Sequence, residues 1–213
     1  MGQRIMIVGN GSLPEGAAAT IDAADRVIRF NECGNFGAAG SRTDVIAVCN
    51  TGRPAKAMLS GDWSGSPAVQ AATEIWSVRD PDKFREMREA LERSHPELDD
   101  FCDDYSRGFS DLAAARSMRH RILSRHVHEA VDEALQGFHP DPYVSPSSGM
   151  IVIADILADP ACVDDEIVLA GFTHEGWHGH PFAAERRLID SFVAAGKLAR
   201  LKSPNLSSPS QGD

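Results

Sequence analysis

A chain of 213 residues with the apolar content of an ordinary globular protein is long enough for one domain with a substantial core, and its formal charge of −10 repels a phosphodiester backbone rather than collecting it. Nucleic acid is therefore not an expected partner. No apolar run is long enough to span a bilayer, and residues 1 to 8 hold one basic residue and too short an apolar run for a signal peptide, so a cytoplasmic protein without a membrane span is expected.

Ile5 to Val8 is an all-apolar run of the kind that forms a buried strand, and it breaks at once into Gly9, Asn10, Gly11 and Ser12. A short helix over Ala17 to Ile21, a second strand over Asp25 to Asn31 and a third over Val45 to Val48 follow. Strand, loop, helix, strand is a nucleotide-binding unit in outline. The missing side chains at Gly9 and Gly11 let backbone approach a phosphate or ribose; the same residues also make an ordinary tight turn, and Pro14 stands where the dinucleotide fingerprint has its third glycine. Cys49 to Pro67 reads as loop with one helical turn at Pro54 to Leu59, and Thr73 to Val78 as another strand.

Phe84, Met87 and Leu91, then Ile122, Val127, Val131 and Leu135, recur at helical spacing, which predicts two or three amphipathic helices as a helical insertion or lid over about 80–136. Within it, Asp80-Pro-Asp82 reads as a turn before a metal-holding pair, and Asp99, Asp100, Asp103 and Asp104 as a solvated helix end. Cys33, Cys49, Cys102 and Cys162 form no C-x-x-C pair, so buried free thiols are expected rather than a zinc site or a disulfide framework.

Ser147, Ser148 and Gly149 open an apolar helix over Met150 to Leu157. Such a start serves as an anion site through its free amides, or as plain serine capping. A strand over Asp165 to Phe172 empties into a segment carrying His174, His178 and His180, where a parallel sheet keeps reactive groups; acid–base use ranks above a metal site here. A helix from Pro181 to about Ala195 stops at Gly196. One unit over 1–201 and a disordered tail over 202–213 complete the outline.

Three separated segments resemble the sialylmotifs of the glycosyltransferase family 29 sialyltransferases. The long motif matches Val8 to Asn10, Ile21-Asp22, Asp25 to Asn31 and Gly40 to Thr43. The short motif matches Pro146 to Met150 and Gly171-Phe172, and the very short one His180 with Glu185 five residues on. The resemblance implies a Rossmann-like variant of the GT-A α/β fold in a soluble, bacterial-type member. It implies inverting, metal-independent transfer of an acidic sugar, sialic acid or a Kdo-like acid, from a CMP-activated donor to a glycan or other hydroxyl acceptor, with no cofactor. In that picture Gly9, Asn10, Gly11 and Asn31 hold the nucleotide, and Ser147, Ser148 and Gly149 meet the phosphate or the sugar carboxylate. His180 is the general base, His174 or His178 assists the leaving phosphate, and Glu185 completes the catalytic set. The alternative is a catalytically inactive nucleotide-sugar-binding or accessory protein; a dinucleotide oxidoreductase or a methyltransferase stands third.

Overall fold

The strand nearest the start of the chain, β1 (Arg4–Val8), lies in the interior of a parallel sheet between β2 (Arg26–Phe30) and β6 (Glu166–Ala170), with Ile5 opposite Arg26 on one side and Ile167 on the other. A computed structural model describes residues 2–202, so the tail expected to be disordered lies, from residue 203 on, outside the described residues. Between β1 and β2 stands α1 (Ala17–Asp22). Then come β3 (Val45–Val48), α2 (Gly52–Ser60), α3 (Pro67–Ala71), β4 (Glu74–Ser77), α4 (Pro81–Ser94), α5 (Ser106–Ala115), β5 (Arg119–Ile122), α6 (Arg125–Gln136), α7 (Ser148–Ala158), β6, α8 (Phe182–Ala194) and β7 (Ala199–Arg200). The strand order is β5-β4-β3-β2-β1-β6-β7, every pairing parallel.

A parallel sheet needs cover on both faces, because its strands alternate apolar side chains to either side. Ile5, Ile7, Ile28 and Phe30 point to a core closed by α6, α7 and α8. Met6, Val8 and Val27 meet α1 on the opposite face, where Ile46, Val48 and Ile75 also meet α2, α3 and α5. The expected Rossmann-like α/β architecture of one sheet flanked by helices is what the chain forms.

Two expectations change. Cys49 to Pro67 is not mainly loop: α2 is a full helix that buries Ala55 and Met58. The segment over about 80–136 is not wholly helical, because β5 pairs with β4 and finishes the sheet. β5 reads Arg-His-Arg-Ile and has the burial of an edge, so it lacks the apolar alternation that marks a strand. Polar pairs hold it instead, Arg119 to Glu74 at 2.5 Å and Arg121 to Asp155 at 2.5 Å, with the Arg121 guanidinium 3.7 Å over the Trp76 ring. Asp80 accepts from the Lys83 amide at 2.9 Å and caps α4, with Pro81 and Asp82 in its first turn rather than in a separate turn before it. All four cysteines are free. No described helix is long and apolar enough to cross a membrane.

Candidate functional site

The strands from β1 to β5 are laid down in one direction, and β6 is then placed on the other side of β1. Loops leaving the carboxyl ends of β1 and β6 must diverge at that switch, which opens a crevice. A cleft of about 550 Å³ occupies it, walled by the β1 and β6 loops, the start of α7 and the segment leading to α8.

Gly9 donates to the Ala170 carbonyl at 2.8 Å and Gly11 to the Gly171 carbonyl at 2.9 Å, so the β1 loop continues the sheet ladder. A Cβ on Gly9 would stand 2.5 Å from the Gly171 oxygen, and one on Gly11 2.8 Å from it. The room left by these two missing side chains is taken by the β6 loop. Gly171 itself is left-handed at φ 69°. Asn10 spans to the next loop, accepting from Gly34 at 3.1 Å and donating to the Phe30 carbonyl at 3.3 Å. Asn35, which carried no signal in the sequence, locks this arrangement by donating to the carbonyls of Gly9 at 2.9 Å and Gly11 at 2.8 Å. Asn31 has φ 51° and accepts from the Cys49 amide at 2.8 Å; its side-chain nitrogen has no partner among the described residues, and the residue lines the cleft.

Ser147 caps α7, accepting from the Met150 amide at 3.2 Å. Its own amide and hydroxyl donate to the two oxygens of Glu185, at 2.6 Å and 2.7 Å. Glu185 is 1% exposed; burial pushes its carboxyl above the usual range, and the two donations from Ser147 oppose that rise. It therefore positions the α7 start against α8. What α7 still offers is the hydroxyl of Ser148 and the amides of Ser148 and Gly149, which have no partner among the described residues. These lie on the wall of the cleft.

His180 stands across from them. Its Nδ1 donates to the Ser145 carbonyl at 2.7 Å, which leaves Nε2 of the neutral ring as an acceptor. Burial first, and the Arg79 charge with it, bring its pKa down to about 4 against the opposing pull of the Ser145 carbonyl. Trp177 meets the ring edge-on at 4.9 Å and tilts onto Phe101 at 5.4 Å, so the segment between α4 and α5 reaches the rim of the site. His174, at φ 56°, accepts from Arg200 at 3.2 Å. Burial, then the charges of Arg200 and Arg186, hold its pKa at about 4. His178 is exposed beside Trp177. The three histidines do not converge: among the described residues no three His, Cys, Asp or Glu side chains gather in a way that holds a metal ion.

This is a doubly wound α/β protein with a polar, hydrogen-bonding cleft at its topological switch point. The chain is 58% identical, over 94% of its own length and 93% of the relative's, to the "urease operon 23 kDa accessory protein" of Rhizobium meliloti. It belongs to that protein's family. No protein-family model matches it. Among solved structures it is similar to a mammalian sialyltransferase, with a TM-score of 0.56 at 19% identity over 95% of this chain and 70% of that one. A second is the sialyltransferase CstII of Campylobacter jejuni in complex with a substrate analogue, with a TM-score of 0.52 at 13% identity over 95% and 81% of the two chains.

The sialyltransferases thus share the fold alone, and the expectation of a family 29 member is overturned by the far closer accessory-protein relative. With it go the inverting glycosyltransferase and the CMP-activated acidic sugar and glycan acceptor as partners. Several of the motif residues have a plain structural account. Arg29 donates to the carbonyls of Ala39, Gly40 and Arg42 and to Thr43, and Asp22 accepts from the amides of Ser41 and Arg42. Glu185 pins Ser147. Residues that hold a fold together resemble one another wherever that fold is used.

Proposed function

We propose that this chain is an accessory protein of the urease operon that binds a phosphate-bearing small molecule, of the nucleotide class, in the cleft between the β1 and β6 loops. The identity to the urease operon accessory protein carries the accessory role. The set of free donors on one wall supports the ligand class: the Ser148 hydroxyl, the amides of Ser148 and Gly149 at the positive end of α7, and the Asn31 amide. His180 faces them with a bare acceptor nitrogen suited to a ligand hydroxyl. Gly9, Asn10, Gly11, Ser147, Glu185 and His174 shape the walls, each being engaged with protein partners.

The test has two arms. In a urease-positive host that encodes this chain, its deletion lowers urease activity per unit of urease polypeptide, and the plasmid-borne chain restores it; unchanged activity removes the accessory role. In solution, nucleoside monophosphates raise the melting temperature, since a ligand at a hundred times its Kd stabilises by about 2.7 kcal/mol. Ser148→Ala weakens that binding roughly ten- to a hundredfold, the worth of one hydrogen bond to a charged group. A chain indifferent to every nucleotide tried would remove the ligand class.

A further inference from the structure

A second chamber of about 410 Å³ opens beside the cleft and shares Asn31, Ser148, Trp177 and His180 with it. Its floor is Arg79, which follows β4 and is only 7% exposed. The backbone there is fixed: Arg79 donates its amide to the Asn50 side chain at 2.7 Å, and Asn50 donates back to the Arg79 carbonyl at 2.9 Å. The guanidinium lies 4.2 Å from the Phe101 ring centre and 4.9 Å from that of Phe84. Its one hydrogen bond among the described residues is from Nη1 to Thr51 at 2.5 Å. No described carboxylate pairs with it. Asp100 also lines the chamber, and its charge is taken by Arg53 at 2.9 Å.

A buried cation without a counter-ion is costly, and a protein keeps one where something outside the chain completes it. Phe101 and Phe84, themselves 5.8 Å apart, pack on neighbouring sides of the guanidinium, and Nε and Nη2, the fork that meets an oxyanion with two parallel bonds, have no acceptor among the described residues. Further positive potential comes from the start of α2, where Thr51, Gly52 and Arg53 border the same space; Thr51 spends its hydroxyl on Arg79 instead of capping the helix. Arg79 also lowers the basicity of His180, so its field reaches the shared wall.

We propose that the chamber is an oxyanion subsite in which Arg79 grips a carboxylate or phosphate group of the ligand, making that ligand one with two separated anionic groups. This rests on reading the cleft as a ligand site and adds to it the second charged arm. The test is titration of the full chain with inorganic phosphate, with malonate and with a nucleoside monophosphate, for wild type, Arg79→Met, Arg79→Lys and Ser148→Ala, with circular dichroism as the folding control. Expected is saturation of the wild type by phosphate or malonate, the better of the two naming the arm. The half-saturating concentration rises at least tenfold in Arg79→Met and severalfold in Arg79→Lys, which keeps the charge and loses the fork. Should Arg79→Met fail to fold, Arg79→Lys carries the comparison. Anion binding that needs Arg79 and ignores Ser148 upholds the chamber while the reading of the cleft fails. Nucleotide binding that needs Ser148, with no anion affected by Arg79, overturns the chamber and leaves the cleft standing. If neither small anion saturates the wild type, the subsite is overturned.

Discussion

Arg29 and Arg79 are both buried, at 1% and 7% exposure, and neither pairs with a described carboxylate, yet the regions around them are built in opposite ways. Arg29 points from β2 into the loop over residues 39–43 and spends Nε and Nη2 on four acceptors at 2.9 to 3.1 Å. Arg79 leaves β4 for a chamber continuous with the cleft, and its guanidinium has a single acceptor among the described residues. The first is a strut whose demands are met by its own chain. The second is held in shape by aromatic rings and left electrostatically incomplete, which is how a protein keeps a charge ready for a ligand without spending it on itself.

The sharpest way to break this contrast is to remove each charge in turn. Arg29→Met strands buried carbonyls and should lower unfolding free energy by at least about 3 kcal/mol, since each unmet polar group costs about 1–3 kcal/mol. Arg79→Met keeps an unbranched side chain against the two rings and should change stability by no more than about 1 kcal/mol, because an uncompensated charge leaves with it. Urea midpoints read both, and equal losses would make Arg79 a second strut. The glycines offer a parallel comparison. At Gly171, φ is 69° and a Cβ would stand 2.7 Å from the Gly9 oxygen, so Gly171→Ala should cost about 2–3 kcal/mol from strain and backbone overlap. Gly196 shares that φ with open space around it, and Gly196→Ala should cost only about 1 kcal/mol.

The same contrast explains what could be read in the sequence. Strands β1, β2, β3, β4 and β6 carry apolar runs that burial on both faces demands, and the switch point follows once they are placed. β5 was hidden because an edge held by ion pairs has no apolar pattern, and α2 because it starts Gly-Arg-Pro and buries mainly small side chains. In the site, the serine-rich start of α7 and His180 were legible from their place after loops and strands. Arg79 was not: beside Asp80, Pro81 and Asp82 it reads as part of a charged turn, and Phe84 and Phe101 reach it only through the fold. The sialylmotif resemblance ran over Val8 to Asn10, Ile21-Asp22, Asp25 to Asn31, Gly40 to Thr43, Pro146 to Met150, Gly171-Phe172, His180 and Glu185, and among these Asp22, Arg29, Gly40, Ser147 and Glu185 make their bonds to other parts of the chain. Such residues carry architecture, and so the resemblance was informative about fold and silent about activity.

The histidine wall gives a smaller effect with a definite sign. His180 has a folded pKa of about 4 against about 6.5 unfolded, a depressed value in a base kept neutral by burial. The stability it contributes is fully present above pH 6.5 and is lost as pH falls from there toward 4, because only the unfolded chain takes up the proton in that window. Allowing for its partial exposure, this amounts to about 1–2 kcal/mol between pH 7 and pH 5. His174 adds in the same direction. His180→Gln should flatten the fall in urea midpoint over that range relative to wild type. An unchanged slope would mean that the ring is more open to water than its bond to Ser145 implies.

The smallest effect separates two neighbours in the cleft wall. Ser147 spends its hydroxyl twice, accepting from Met150 as the cap of α7 and donating to Glu185, so Ser147→Ala should cost about 1 kcal/mol, the usual worth of a cap. The vacated Glu185 oxygen adds little if the carboxyl takes a proton, which its raised pKa already favours. Ser148, one residue on, gives its hydroxyl to no described partner, and Ser148→Ala should leave the urea midpoint within about 0.5 kcal/mol of wild type. A fall in Ser148→Ala as large as that in Ser147→Ala would show both hydroxyls to be spent on the fold, and the α7 start would then have only two backbone amides to offer a ligand.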